Sequence, residues 1–193
     1  GPVLRAGIPI EAAGMAPGIP DPRGVMRLAS HLRRLRPDII QTWLDHSNLL
    51  GALAARLTPR ARLIWGIHHS HHIPGVAKRM TLMTVRCCSV LSSRLPSAVV
   101  FCSQHARDRY EAGGFDGDKT VVIPNGFDTS RFHADTEARK SLRAEVGVST
   151  DAPLIGLVAR YDPCKDHATF LSAAAHLLKR RPDVRSAERR LAA

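Results

Sequence analysis

Aromatic residues are scarce in this chain, at 5%, and acidic residues are outnumbered by basic ones, 17 against 28. The shortage of aromatics argues against an aromatic-rich β-sandwich and for an aliphatic α/β core. No apolar run approaches the ~18 residues that a transmembrane helix needs. The N-terminus also lacks the charged-then-apolar order of a signal peptide. A soluble, cytoplasmic protein is expected, with room for peripheral contact at the inner face of an anionic membrane. Cysteine grammar is missing too: Cys87 and Cys88 are adjacent, while Cys102 and Cys164 stand alone. That spacing gives neither a disulfide framework nor a zinc site, so buried or half-buried free thiols are expected. There is no internal repeat and no low-complexity linker.

What is present is positive charge, +11 in 193 residues, with arginine far ahead of lysine. Such a balance favours anionic partners: nucleic acid, phosphorylated ligands or an anionic membrane surface. The charge is spread over helix faces, as in His31-Leu-Arg-Arg-Leu-Arg36 and Lys179-Arg-Arg181. No aromatic-interleaved basic platform or zinc finger accompanies it, which argues against nucleic-acid binding.

Strand-like and helix-like segments alternate along the chain. Ile8–Glu11, Asp38–Trp43, Arg62–Ile67, Ala98–Cys102, Lys119–Ile123 and Leu154–Ala159 read as strands. Helices are expected from Val25 to Leu35, Ser47 to Leu57, Val76 to Leu95, over Ser103 to Gly113, from Asp135 to Val146, and from Cys164 to Arg180. Phe170/Leu171, Ala174/Ala175 and Leu177/Leu178 form the expected core stripe of the last helix. This rhythm predicts an α/β fold with a doubly wound parallel sheet, which binds ligands at the carboxyl ends of its strands. Asp45, His46, His68, Ser103, Asn125 and Arg160 all fall just after strands.

Arg160 and Lys165 stand out in Leu154-Ile-Gly-Leu-Val-Ala-Arg-Tyr-Asp-Pro-Cys-Lys-Asp-His167. Asp162 reads as an N-cap and Pro163 as the first helical residue, which puts Lys165 in the first helical turn. A cation there opposes the helix dipole, so it is poorly placed for helix stability. Two cations beside open backbone N–H groups suit a phosphate, although a solvated basic strand end is the plainer reading.

The loop resembles the diphosphate-binding loop of the GT-B, nucleotide-sugar-dependent retaining glycosyltransferases of group 1. Further phrases in the same order carry the resemblance. They are Arg36-Pro-Asp-Ile-Ile-Gln-Thr-Trp-Leu44, Ile64-Trp-Gly-Ile-His-His-Ser70, Val99-Val-Phe-Cys-Ser-Gln-His105 and Val121-Val-Ile-Pro-Asn-Gly-Phe-Asp-Thr-Ser-Arg-Phe132. It implies a GT-B fold, with residues 1–122 as an N-terminal, acceptor-side Rossmann-like domain whose first strands are missing. Residues 123–193 then begin a nucleotide-sugar-binding domain. The family's glutamate pair, eight positions apart, is expected beyond residue 193. Glu137 and Glu145 share that spacing but lie before the loop, alternating with Arg139, Lys140 and Arg143 as on a solvated helix face. The chain resembles an internal fragment with little activity alone, and the tail from Arg185 departs from the family pattern.

The resemblance implies sugar transfer from a nucleoside-diphosphate sugar to an acceptor hydroxyl with retention, in polysaccharide or glycolipid synthesis. Arg160 and Lys165 would hold the diphosphate and neutralise it as it leaves, so neither metal nor cofactor is expected. Asn125 and Gly126 are read as a tight turn beside the donor, or as turn chemistry alone. His68 either faces the reaction centre as a catalytic residue or is a plain loop histidine. The His68-His-Ser-His-His72 cluster lacks a defined metal-ligand geometry. Asp45 and His46 line the acceptor side or are solvated, and Ser103 is an acceptor-side residue or a helix cap. The competing reading is a non-catalytic remnant or a basic module that binds phosphates or nucleic acid.

Overall fold

A computed structural model describes residues 5–15, 21–58, 61–69 and 79–191, with backbone alone for 186–191. The chain divides into two compact units, Gly1–Gly126 and Phe127–Ala193.

In the first unit, α1 (Pro22–Leu35) precedes β1 (Ile39–Trp43), α2 (Asp45–Arg56), β2 (Arg62–Ile67) and α3 (Arg79–Ser92). β3 (Ala98–Phe101), α4 (Gln104–Ala112) and β4 (Thr120–Val122) follow. The four strands form one parallel sheet in the order β1-β2-β3-β4, with Ile39 opposite Arg62, Ile64 opposite Ala98 and Val99 opposite Thr120. β1, β2 and β3 are each followed by a helix, because parallel neighbours need a crossover. α2 packs on β1 and β2 and against α1 and α3, while α4 packs on β3 and β4. Trp65, Ile67, Val99 and Phe101 are fully buried, and Cys88, Ala106, Tyr110 and Phe115 close over them. Each large side chain contributes roughly 1.5–3 kcal/mol by leaving water.

Local chemistry sets the helix ends. Asp21 accepts from Arg23 N and Pro22 opens α1, while Arg36 ends it in the left-handed region at φ 48°. Ser103 caps α4 by accepting from Ala106 N, and Gly113 closes that helix before Gly114 turns at φ +94°. Ile8–Glu11, expected as a strand, joins neither sheet. Pro9 sits in its middle and has no N–H to give a ladder. The expected start of α3 at Val76 lies outside the described residues, and its observed end is Ser92 rather than Leu95.

The second unit contains α5 (Thr136–Glu145), β5 (Leu154–Arg160), α6 (His167–Arg180) and β6 (Arg185–Leu191). β5 and β6 pair in parallel from Leu154–Arg185 to Arg160–Leu191, and α6 packs on β5. The tail that departs from the family pattern is therefore a strand. Its arginines and Glu188 hide it from a propensity reading, since tertiary pairing overrides weak β-preference. The expected stripe on α6 is only partly buried: Ala174 is 5% exposed but Leu171 is 48% exposed. Two strands offer too little surface to cover a whole helix face. On α5, Glu137 pairs with Lys140 at 2.8 Å on an exposed face, but Arg143 departs from that solvated pattern. It is buried and donates from Nη1 to Ser149 O at 2.7 Å and Ala152 O at 2.8 Å, tying down the loop before β5.

Candidate functional site

In the first unit, chemistry-bearing side chains gather where β1 and β2 end. β1 leaves its ladder at Leu44, whose φ of 72° and ψ of 154° lie in a region that glycine alone adopts without strain. Leu44 N donates to Gly66 O at 3.0 Å and Asn48 N donates to Leu44 O at 2.8 Å, which holds the bend. Gly66 must be small: a Cβ there would lie 3.0 Å from Thr42 O and 3.2 Å from the Trp43 ring. The bend delivers Asp45 into the protein at the first position of α2, where a carboxylate suits the helix dipole.

Asp45 is 2% exposed, so a solvated loop role is excluded. Its Oδ2 lies 2.9 Å from His69 Nε2 and 3.4 Å from the Tyr110 hydroxyl, which is itself 2.8 Å from His69 Nε2. The ionised carboxylate only accepts, so His69 carries its proton on Nε2 and, when neutral, presents Nδ1 as an acceptor. Burial, then the charge of Asp45 and the hydrogen bond to it, push the Tyr110 phenol far above its ordinary pKa. Tyr110 therefore stays a neutral donor. The Cys88 thiol donates to Asp45 O at 3.6 Å and is pushed up to about 12, first by burial and then by Asp45. Cys88 is thus an inert buried thiol, whereas Cys87 and Cys164 are exposed rather than buried.

The remaining candidates of this unit lie nearby or serve the fold. His68 is exposed, and its ring lies 4.4 Å from that of Trp43, tilted by 39°. His46 is exposed and bridges to α3, with Nδ1 3.2 Å from Thr84 Oγ1 and Nε2 3.4 Å from Thr81 Oγ1. Thr84 gives its own proton to Met80 O at 2.9 Å, so His46 Nδ1 is the donor to Thr84. The Ser103 hydroxyl is engaged as the cap of α4. Asn125 and Gly126 are exposed in an irregular stretch after β4 with no tight turn. Gly126 has no left-handed φ, and a Cβ there would meet nothing within 4 Å. Most of the His68–His72 cluster lies outside the described residues.

Sequence reasoning passed over His69 and Tyr110. His69 follows His68 directly, and spacing alone does not say which ring turns inward. Tyr110 lies two turns into α4, a distance in sequence that only the packing of α4 on β3 closes.

In the second unit, β5 ends at Arg160 and the chain turns through a single 3₁₀ turn, Pro163–Lys165, before α6. Asp162 caps that turn, accepting from Cys164 N at 2.9 Å. Lys165 is not in the first turn of the α-helix as expected. Asp166 takes φ 49° and ψ 50°, interrupts the helix, and caps α6 by accepting from Thr169 N at 3.2 Å. The start of α6 already has its carboxylate, so any anion bound here rests on side-chain cations more than on open N–H groups. Arg160 and Lys165 are exposed, and neither side chain makes an ion pair or hydrogen bond among the described residues. Both act on one spot. The Asp162 carboxyl is held low first by the Cys164 hydrogen bonds and then by the positive charges of Arg160 and Lys165. His167, buried at the head of α6, donates from Nε2 to Arg160 O at 2.8 Å and pins the strand end to the helix.

Solved and curated proteins resemble this chain. A crystal structure of Anabaena Alr3699/HepE in complex with UDP-glucose superposes with a TM-score of 0.76 at 22% identity, over 96% of this chain and 48% of that one. That likeness shows the fold, of GT-B type. A GDP-mannose-dependent alpha-(1-6)-phosphatidylinositol monomannoside mannosyltransferase of Mycolicibacterium smegmatis is 28% identical over 162 residues, covering 81% of this chain and 41% of that protein. A D-inositol 3-phosphate glycosyltransferase of Nocardia farcinica is 35% identical over 80 residues, 42% of this chain and 17% of its own length. The chain thus spans less than half the length of these relatives. The family model described as Glycosyltransferase Family 4 matches residues 4–131. By that match, the chain belongs to the group 1 glycosyltransferases.

Proposed function

We propose that this chain supplies the acceptor-side domain and the diphosphate clamp of a glycosyltransferase that uses a nucleoside-diphosphate sugar. The observation that carries the reading is the pair of exposed cations, Arg160 and Lys165, which flank the Asp162 turn and have no ion-pair partner among the described residues. Arginine grips two oxygens of a diphosphate in fork geometry, and lysine adds a compact charge. Both charges gain value as the bond from the sugar to the diphosphate breaks and negative charge builds on the leaving group. In this reading, fixed cations do the work that a metal ion does elsewhere.

The acceptor hydroxyl forms the new bond to the anomeric carbon on the face the diphosphate leaves, which retains configuration. Its proton passes to an oxygen of the departing diphosphate. In the first unit His69, held by Asp45 and Tyr110, is better ordered to meet a sugar hydroxyl than the exposed His68. The names of the relatives, with UDP-glucose in one and GDP-mannose in another, support nucleoside-diphosphate sugars as the donor class. The mannosyltransferase name also supports an acceptor in glycolipid synthesis.

Calorimetric titration of the chain with UDP and with GDP tests the clamp. Arg160→Ala should weaken binding about 10-fold or more, the value of a charge-assisted contact. Unchanged nucleotide binding in Arg160→Ala, or salt-sensitive DNA binding with no nucleotide binding, would sink the reading.

A further inference from the structure

Between Asp45 and Asp108 the sequence contains no acidic residue, while eight arginines and lysines fall in that stretch. α3 lies at its centre. The helix turns Thr84, Cys88, Ser89 and Ser92 inward. Its outer face carries Met80, Met83, Cys87 and Val90, spaced by three, four and three residues and so aligned along one stripe. Met80 is 49%, Met83 61% and Val90 65% exposed, and Leu82 beside them is 41% exposed. An open groove of about 450 Å³ runs along this face, lined by Met83, Arg86, Cys87, Val90 and Leu91. Arg79, Arg86 and Arg94 are exposed around the stripe, and none has an ion-pair partner among the described residues.

A contiguous apolar stripe on a surface helix marks an interaction site more often than chance exposure does. The charge around it selects the occupant. A second copy pairing face to face would set these arginines against their own counterparts, with no acidic residue on α3 itself to relieve them. An anionic surface has the complementary sign. An amphipathic helix with methionine and valine on one face and arginine at its margins matches a helix lying in the plane of a membrane interface. Its 14 residues span about 21 Å, long enough to lie flat among several headgroups.

We propose that α3 is a membrane-docking helix. It seats Met80, Met83 and Val90 below the phosphate level of an anionic bilayer, with Arg79, Arg86 and Arg94 on the headgroup phosphates. The proposal stands apart from the sugar-nucleotide reading, because its residues lie on a different element from Arg160 and Lys165.

Vesicle flotation of the 193-residue chain provides the test, with phosphatidylglycerol–phosphatidylcholine vesicles against phosphatidylcholine alone. Binding should require the anionic lipid and weaken with added salt. Arg79→Gln combined with Arg86→Gln should weaken it about 25-fold, roughly fivefold for each cation removed from the surface. Met83→Ser with Val90→Ser should weaken it about 10-fold or more while leaving UDP affinity and circular dichroism unchanged. As an independent readout, an environment-sensitive fluorophore on Cys87, in a chain with Cys102→Ser and Cys164→Ser, should shift to the blue on anionic vesicles. Equal binding to neutral and anionic vesicles, no binding to either, or an unshifted fluorophore would overturn the proposal. So would binding to polyglutamate as tightly as to vesicles, with the Met83/Val90 variant unaffected, since that assigns the face to an acidic macromolecule.

Discussion

His69 Nε2 lies 2.9 Å from Asp45 Oδ2, which joins the end of β2 to the end of β1 through a carboxylate only 2% exposed. Tyr110 closes the group from α4. Three crossover units of the sheet therefore converge on one buried charge. Removing the charge should cost more than any single hydrogen bond there. Asp45→Ala is expected to destabilise the first unit by about 3–5 kcal/mol and Tyr110→Phe by about 1–2 kcal/mol. The double variant should fall short of the sum, because both act on one network. Both tryptophans, Trp43 and Trp65, belong to this unit, so fluorescence-detected urea unfolding reads it directly. A loss under 1 kcal/mol for Asp45→Ala would remove the network from the account of this site.

Alkaline pH should unfold this unit early. The pKa values of Tyr110 and Cys88 are raised in the folded chain, so above their unfolded values the native state holds protons that the unfolded state releases. Their contribution is fully present below about pH 8.5 and falls as pH rises past about 10, the ordinary thiol and phenol values. Tyr110→Phe should flatten the decline between pH 9 and 12, as followed by urea midpoints across that range. An unchanged slope would show that the phenol does not titrate differently on folding.

Thiol chemistry should separate the cysteines. With a pKa of about 12, Cys88 is thiolate in only about one molecule in ten thousand at pH 8. Cys164 is exposed, but its hydrogen bond to Asp162 raises its pKa first, followed by desolvation and the Asp162 charge. Mass-resolved alkylation at pH 8 should therefore label Cys87 and Cys164 in the native chain, with Cys164 slower than a free thiol. Cys88 should react only after denaturation. Labelling of native Cys88 at the rate of Cys87 would contradict its burial.

Leu44 should be a strained residue whose replacement stabilises. Its backbone occupies a region costing about 1–3 kcal/mol for a side-chain-bearing residue. Glycine there adds about 0.5–1 kcal/mol of unfolded-state entropy cost, so the larger strain term should win. Leu44→Gly is expected to raise the stability of the first unit by about 1 kcal/mol in the same urea experiment. Destabilisation of that variant would mean that the Leu44 side chain contributes more packing than its 50% exposure suggests.

Much of the frame was legible in advance because its signals are local. β2 runs from Arg62 to Ile67 as expected, Ser103 caps α4, and Asp162 caps the turn after β5. Apolar runs, a capping hydroxyl and a capping carboxylate act within a few residues, so the string of letters reports them. The exceptions arise where a local signal has two readings. Pro163 can open an α-helix or a 3₁₀ turn, and Asp166 in the left-handed region made it the latter. Arg143 reads as solvated by periodicity, yet the carbonyls of Ser149 and Ala152, six and nine residues further along the chain, fold back to receive it.

By itself, the sequence determined the alternation of strands and helices, the excess of positive charge and the pair Arg160/Lys165 beside a turn. These follow from short-range sterics, capping and composition. Only the tertiary structure decided that His69 rather than His68 joins Asp45 and Tyr110. It likewise decided that the arginine-rich tail pairs with β5, and that α3 leaves Met83 and Val90 outside. Those outcomes depend on which side of a strand or helix faces a neighbour distant in sequence, and packing settles that.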